Sequence, residues 1–357
     1  MNLFSEKQLI QEAIQLLKDL IAIPSLSREE DKTADLLQEF LTQKGIESTR
    51  KGNNVWAKNQ HFSEEKPTYL LNSHHDTVKP NAQYTLDPFQ PQVKDGKLYG
   101  LGSNDAGGPL VSLLATFLWF YGKKDLPFNL IIAMTAEEEI SGREGIASIW
   151  EDLGKVDFAI VGEPTQMNLA IAEKGLMVLD CVAHGKAGHA AREEGINAIE
   201  KAMDAIHWFH TYSFMKESAL LGPVKMTVTQ IEAGSQHNVV PATCSFVVDV
   251  RTTDAYQNKE ILELIKSCVD CEVNARSTRL NPSGVATDHP MVQAGVAIGM
   301  STFGSVTLSD QALIPCPSVK IGPGDSARSH SADEYIYVNE IEEGIKRYIQ
   351  WLGQITQ

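Results

Sequence analysis

Apolar residues recur along the chain in two rhythms, and the change between them divides the sequence. Residues 6–20 carry apolar positions at helical spacing and stop at Ile23-Pro24-Ser25, which predicts a first helix. Ser27-Arg28-Glu29-Glu30 has S-x-x-E spacing and predicts a capping box opening a second helix through residue 41. Residues 46–57 read as a strand, and so do residues 69–72. Residues 87–98 read as an irregular connector with an Asp95-Gly96 turn. A glycine-rich stretch, residues 100–109, leads into an apolar helix to about Tyr121, with Pro109 suited to its first turn. Residues 128–134 and 156–161 are continuous apolar runs, with a helical stretch predicted at 141–153 between them. Buried strands alternating with helices predict an α/β fold with a mostly parallel central sheet, covered on both faces.

After residue 172 the rhythm changes. Residues 175–183, 225–232, 243–251 and 272–280 alternate apolar with polar, and residues 197–209 and 259–269 are helical. Strand, helix, strand, strand, helix, strand predicts a small α+β layer with one face of its sheet left open. From residue 287 the first rhythm returns. The expected organisation is one domain built from residues 1–172 and 283–357, with residues 173–282 inserted into it.

The apolar strands of the first domain end in chemistry. Residues 69–72 run into Ser73-His74-His75-Asp76, residues 128–134 into Glu137-Glu138-Glu139, and residues 156–161 into Gly162-Glu163. In parallel sheets ligands gather at the carboxyl ends of the strands. His74, Asp105, Glu139, Glu163 and His330 offer two imidazoles and three carboxylates. Two divalent ions could share this set if one carboxylate bridged them, and zinc suits such ligands, with cobalt or manganese also acceptable. Asp105 is the natural bridge, because glycines flank it. Asp76 is placed to orient an imidazole, and Glu138 is the candidate general base. Residues 137–139 would serve equally as a solvated acidic loop.

Composition narrows the partners. The formal charge of -15 and the lack of a basic stripe disfavour nucleic acid and anionic membrane surfaces. The N-terminal residues lack the pattern of a secretory signal, and the longest apolar run, residues 110–121, is too short to span a bilayer. Five cysteines, an odd number, suit reduced thiols and a cytoplasmic location. Cys268 and Cys271 form a lone C-x-x-C, read as a buried structural pair rather than half of a zinc ribbon.

Five motifs in order, Ser73-His74-His75-Asp76, Gly100-x-Gly-x-x-Asp105, Thr135-Ala136-Glu137-Glu138-Glu139, Gly162-Glu163-Pro164-Thr165 and Gly322-Pro323-Gly324 with His330, resemble the M20 metallopeptidase family. The resemblance spans nearly the whole chain. It implies a zinc-peptidase-like catalytic domain with an inserted lid or dimerisation domain, and an amidohydrolase using two zinc ions. His74, Asp105 and Glu163 would hold one ion, and Asp105, Glu139 and His330 the other. Asp76 would orient His74, Glu138 would be the base, and His75 would be structural. In the insertion, His189 of Gly185-Lys186-Ala187-Gly188-His189-Ala190 would stabilise the oxyanion, the alternative being a solvated loop histidine. Asn238 and Arg251 would contact the substrate carboxylate, and an ion pair of Arg251 with Asp249 is the plain alternative.

Leu101 and Gly107 stand where the family often has basic residues, and Ser73 replaces a frequent Gly. The compact length, Gly322-Pro323-Gly324-Asp325 and Ser331-Ala332-Asp333-Glu334-Tyr335 look more like the acetylornithine and acetylcitrulline deacetylase branch. The implied activity is hydrolysis of a small N-acyl amino acid, N-acetylornithine first, in arginine biosynthesis. N-acetylcitrulline, N-succinylornithine or dipeptide hydrolysis, or a non-catalytic metal-binding role, are the alternatives. The implied assembly is a homodimer through the insertion.

Overall fold

The computed structural model describes residues 4–192 and 194–355, and these form two compact units. The first unit comprises Met1–Ile171, Val285–Phe303 and Ser309–Gln357, and the second Ala172–Gly284 and Gly304–Leu308.

The first unit is built on a sheet whose strands run in the order Thr49–Lys51, Asn54–Lys58, Asn129–Thr135, Thr68–His74, Phe158–Gly162, Ser318–Ile321 and Leu169–Glu173. Its four central strands are parallel, while those at the margins pair antiparallel, so the sheet is mixed. The central runs are buried from end to end because successive side chains feed two cores. Leu71, Ile132 and Ile160 join the layer made by the helices Glu6–Ile21, Gly108–Tyr121 and Val338–Gln354. Leu70, Ile131, Ala159 and Val161 face the other way, against Ile146, Ile149 and Leu153 of the helix Ile146–Leu153. The helix Gly108–Tyr121 is apolar all round, as a helix buried on most sides must be. Its only interior hydroxyls, Ser112 and Thr116, donate to carbonyls one turn back, at 2.8 Å each.

Several local expectations are corrected. Ser27 does not cap the second helix, Asp31–Gln43; its hydroxyl donates to Asp76 Oδ2 at 2.7 Å, and Glu30 holds the cap position. The helix begins only at Asp31, so Ser27 lies three residues before the cap position. The strand expected over 46–57 is broken by a turn into Thr49–Lys51 and Asn54–Lys58. The connector at 87–98 contains a hairpin, Gln92–Lys94 with Lys97–Tyr99, whose Asp95-Gly96 turn has positive φ at both residues. Leu169–Glu173 is a strand that sequence reading overlooked, and only the latter half of 141–153 is helical.

The second unit has an antiparallel sheet in the order Lys225–Ala233, Thr243–Thr252, Gly175–His184 and Glu272–Ala275. Alternate residues, Met177, Leu179, Cys181 and Ala183 from one strand and Cys244, Phe246, Val248 and Val250 from its neighbour, pack with the helices Ala198–Thr211 and Asn258–Cys268. The edge strand Lys225–Ala233 is largely exposed. Cys268 is exposed and does not form a buried pair with Cys271. The half-buried Cys271 instead lies diagonally across from the buried Cys181, since the register sets Val273 opposite Cys181, and both thiols are free.

Candidate metal centre

The parallel strands Thr68–His74, Asn129–Thr135 and Phe158–Gly162 finish at one edge, since His74 lies beside Thr135 and Asn72 beside Val161. The chain therefore delivers His74, Glu138, Glu139 and Glu163 to the same place. Adjacent acids on a regular strand would point apart. Here Glu137 takes a left-handed φ of 57°, and the backbone turns. Asp76 holds that turn: its Oδ1 accepts from Glu138 N at 3.1 Å, and its Oδ2 from Glu139 N at 3.2 Å.

His74 is 1% exposed. Its Nδ1 lies 3.0 Å from the Asp76 carbonyl and 3.4 Å from Asp76 Oδ1, so the main chain of Asp76 is the nearer acceptor. Its Nε2 faces Asp105 Oδ1 at 3.4 Å, Glu138 Oε2 at 3.7 Å and Glu163 Oε1 at 3.7 Å, yet makes no well-directed hydrogen bond. The other oxygen of Asp105 lies 3.6 Å from His330 Nε2, and Glu139 Oε2 lies 3.0 Å from that same nitrogen. Asp105 thus stands between the two imidazoles. The five residues expected as ligands are brought together, with Glu138 among them.

Two sets of ligand atoms, from His74, Glu138 and Glu163 and from His74, Asp105 and Glu139, lie mutually within 4.8 Å. A buried imidazole nitrogen facing acceptors that it cannot satisfy is the mark of a site shaped for a shared cation. Imidazole with carboxylates is a donor set for a divalent transition metal. The cluster fits a metal site.

Crowded carboxylates must share charge. Burial, reinforced by Asp105, pushes Glu163 up to about 8. Burial, with repulsion from Glu163, Asp310 and Glu139, lifts Glu138 well above the usual range despite the pull of His74. Burial also raises Glu139, against its bond to His330. His330 is raised to about 9, chiefly by its bond to Glu139. Burial opposes protonation of His74, but Glu138, Asp105, Asp76 and Glu163 overcome it and hold the ring well above its ordinary value.

Several supporting residues carried no clear signal in the sequence. Glu334, 1% exposed, accepts from the backbone N–H groups of Gly102, Asn104 and Asp105. Burial first, then the nearby Asp105, raise it to about 8. Buried Asp310 accepts from Thr135 Oγ1 at 2.9 Å. Buried Glu30 accepts from Glu137 N at 3.2 Å and from Asn53 Nδ2 at 2.9 Å. None has an apolar run before it, and Glu30 and Glu334 have other acids beside them, so only their three-dimensional partners single them out. His75 turns away from the cluster, with Nε2 2.9 Å from the Asn53 carbonyl and Nδ1 2.9 Å from Thr33 Oγ1.

In the second unit, Gly188–His189 pairs with Val239–Val240, and Asn238 accepts from Ala190 N at 3.0 Å, so His189 and Asn238 are neighbours. The exposed His189 accepts from Ala191 N through Nδ1 at 3.1 Å, which leaves Nε2 to carry the proton of the neutral ring. Arg251 grips Asp249 with both prongs, Nε–Oδ1 at 2.8 Å and Nη2–Oδ2 at 3.1 Å.

Among known proteins, the chain is 28% identical to an acetylornithine deacetylase from Proteus mirabilis, over 92% of this chain and 93% of the relative. It is 24% identical to a succinyl-diaminopimelate desuccinylase 2 from a Ruegeria species, over 92% and 91%. Its fold matches the crystal structure of a dinuclear metal binding peptidase of the M20 family from Bacillus subtilis, with a TM-score of 0.71, 16% identity and 98% of each chain covered. Among the described residues, no helix is long and apolar enough to cross a membrane. The model of Peptidase family M20/M25/M40 matches residues 70–354, and the chain belongs to that family of hydrolases, which act on amide bonds.

Proposed function

We propose that this chain is a two-zinc deacylase that frees the amine of an N-acyl amino acid, with N-acetylornithine as substrate, in arginine biosynthesis in the cytoplasm. The reading rests on one observation: the buried, unsatisfied His74 Nε2 faces Asp105, Glu138 and Glu163 at the mouth of a parallel sheet. In this reading His74, Asp105 and Glu163 hold one ion, and Asp105, Glu139 and His330 the other. When bound, the ions would polarise the scissile carbonyl and acidify the attacking water. Glu138 takes the proton from that water and returns it to the leaving nitrogen, a task suited to a carboxylate that burial holds well above its usual range. Asp76 keeps Glu138 and Glu139 at the height of His74 through their backbone N–H groups.

His189 is assigned to the oxyanion, with its Nε2–H as donor. Asn238 and Arg251 are assigned to the substrate carboxylate, and Arg251 must exchange Asp249 for it. The insertion at 173–282 is read as the lid and dimerisation domain of the catalytic remainder, its exposed edge strand Lys225–Ala233 offering unpaired backbone groups to a second copy. The acetylornithine deacetylase relative supports the choice of substrate, and the excess of acids suits a cationic amino acid.

Amine release from a panel of N-acetylornithine, N-succinylornithine, N-acetylcitrulline and dipeptides, with and without chelator, tests the assignment. N-acetylornithine should give the highest kcat/KM, and chelator should abolish it. A preference for N-succinylornithine would move the acyl specificity toward that of the desuccinylase relatives. Silence toward every member would favour a non-catalytic metal-binding protein.

A further inference from the structure

The bridging position of Asp105 poses a mechanical problem. Its two oxygens face imidazoles from distant parts of the chain, and its own backbone lies in a glycine-rich turn, closed by Gly107 N donating to the Gly102 carbonyl at 2.9 Å, within which Asp105 has non-helical φ and ψ of -120° and 98°. Something must fix that turn to a fraction of an ångström for one carboxylate to serve two sites. Gly102 has a φ of 74°, and a Cβ there would lie 2.6 Å from Thr77 Cγ2, so one side of the turn abuts the chain just after Asp76. On the other side one carboxylate gathers most of the turn's free N–H groups. Glu334 Oε1 accepts from Asn104 N and Asp105 N, each at 2.9 Å, Oε2 accepts from Gly102 N at 3.2 Å, and its carbonyl accepts from Gly100 N at 3.0 Å.

From this geometry we propose that Glu334 is the positioning residue of the metal centre, setting Asp105 and His330 at one fixed spacing. Glu334 sits four residues after His330, so the clamp joins the segment carrying the bridge to the segment carrying the exposed imidazole. Successive N–H groups converging on a buried carboxylate form an anion-binding nest, here filled by the protein itself. The arrangement places a further acid beside a cluster already rich in acids, which costs electrostatic energy. Alignment of the bridge is the return. Asn104 adds a second tie from the same turn, donating to the Asp325 carbonyl at 3.0 Å and accepting from Asp325 N at 3.1 Å.

The proposal rests on the two-ion reading, and titration of the metal-free protein with Co2+, followed by absorption spectroscopy, separates the two. Wild-type protein should take two equivalents; fewer would overturn the two-ion reading itself. In Glu334→Gln the tighter equivalent should bind as in wild type, while the weaker should lose about 10–100-fold in affinity. Its kcat should fall by a similar factor, with KM within about twofold. Asp333→Asn serves as the control, since Asp333 ties the same segment to Thr85 and Leu86 rather than to the turn. That variant should keep both affinities. Unchanged binding in Glu334→Gln, or an equal loss in Asp333→Asn, overturns the proposal. Should the Gln variant not fold, Glu334→Asp keeps the carboxyl group but shortens the reach, and it should show the same asymmetric loss. Two insoluble variants would make Glu334 a folding residue and overturn its positioning role.

Discussion

The two imidazoles of the candidate metal centre, His74 and His330, are held in opposite ways. The His74 side chain is 1% exposed and closes a central strand, while that of His330 is 55% exposed and sits on a loop with a left-handed φ of 58°. His74 is positioned by the sheet, whose register admits no slip without turning every apolar side chain to the wrong face. His330 is positioned by whatever holds its loop. The comparison teaches that one half of the centre is part of the folded core and the other is an attachment to it. Damage should spread from the first half and stay local in the second.

The sharpest break of that comparison is ligand removal. His74→Ala should lose both ions and all measurable turnover, and His330→Ala should lose one, as read by metal content after dialysis. Equal losses would erase the distinction. Next is Glu138→Gln, which should keep full metal content while kcat falls by about a thousandfold. Full activity there would remove the proposed base. Asp76→Asn should cost about 10–100-fold in kcat, because the turn carrying Glu138 and Glu139 loosens although no ligand is lost.

The smallest effect concerns stability. Burial holds the His75 ring down at about 4, so the folded protein stays unprotonated there while the unfolded chain takes up a proton from about pH 6.5 downward. Stability from this group is complete above that point and is lost as the pH falls toward 4, by about 3 kcal/mol in total. Chemical denaturation of wild type and His75→Gln, repeated across that range, should show wild type losing stability relative to the variant as the pH falls, and a constant difference would refute it.

Legibility followed the same division. The strands under His74, Glu138 and Glu163 announce themselves as unbroken apolar runs that stop at acids or histidines, because a strand buried on both faces leaves no other pattern. Ser27 misled, since its S-x-x-E spacing describes a local partner and the hydroxyl chose one 49 positions away. Cys268 and Cys271 misled similarly: proximity in sequence suggested a pair, and the sheet set Cys271 diagonally across from Cys181. Glu334 was visible only as one acid among several. Long-range partners of single polar residues leave no period to read.

The placement of Ser318–Ile321 beside Phe158–Gly162 has a consequence for how the chain is made. A ribosome releases residues in order, so the place between Phe158–Gly162 and Leu169–Glu173 in the principal sheet stays unfilled until residues 318–321 have emerged. Tyr348 then donates to the carbonyl of Ile321, and Trp351 to that of Met291, latching the final helix over the finished layer. Non-local closure of this kind is slow and leaves apolar strands unshielded meanwhile. A nascent chain stalled before residue 318 would expose those strands as a natural client for chaperones.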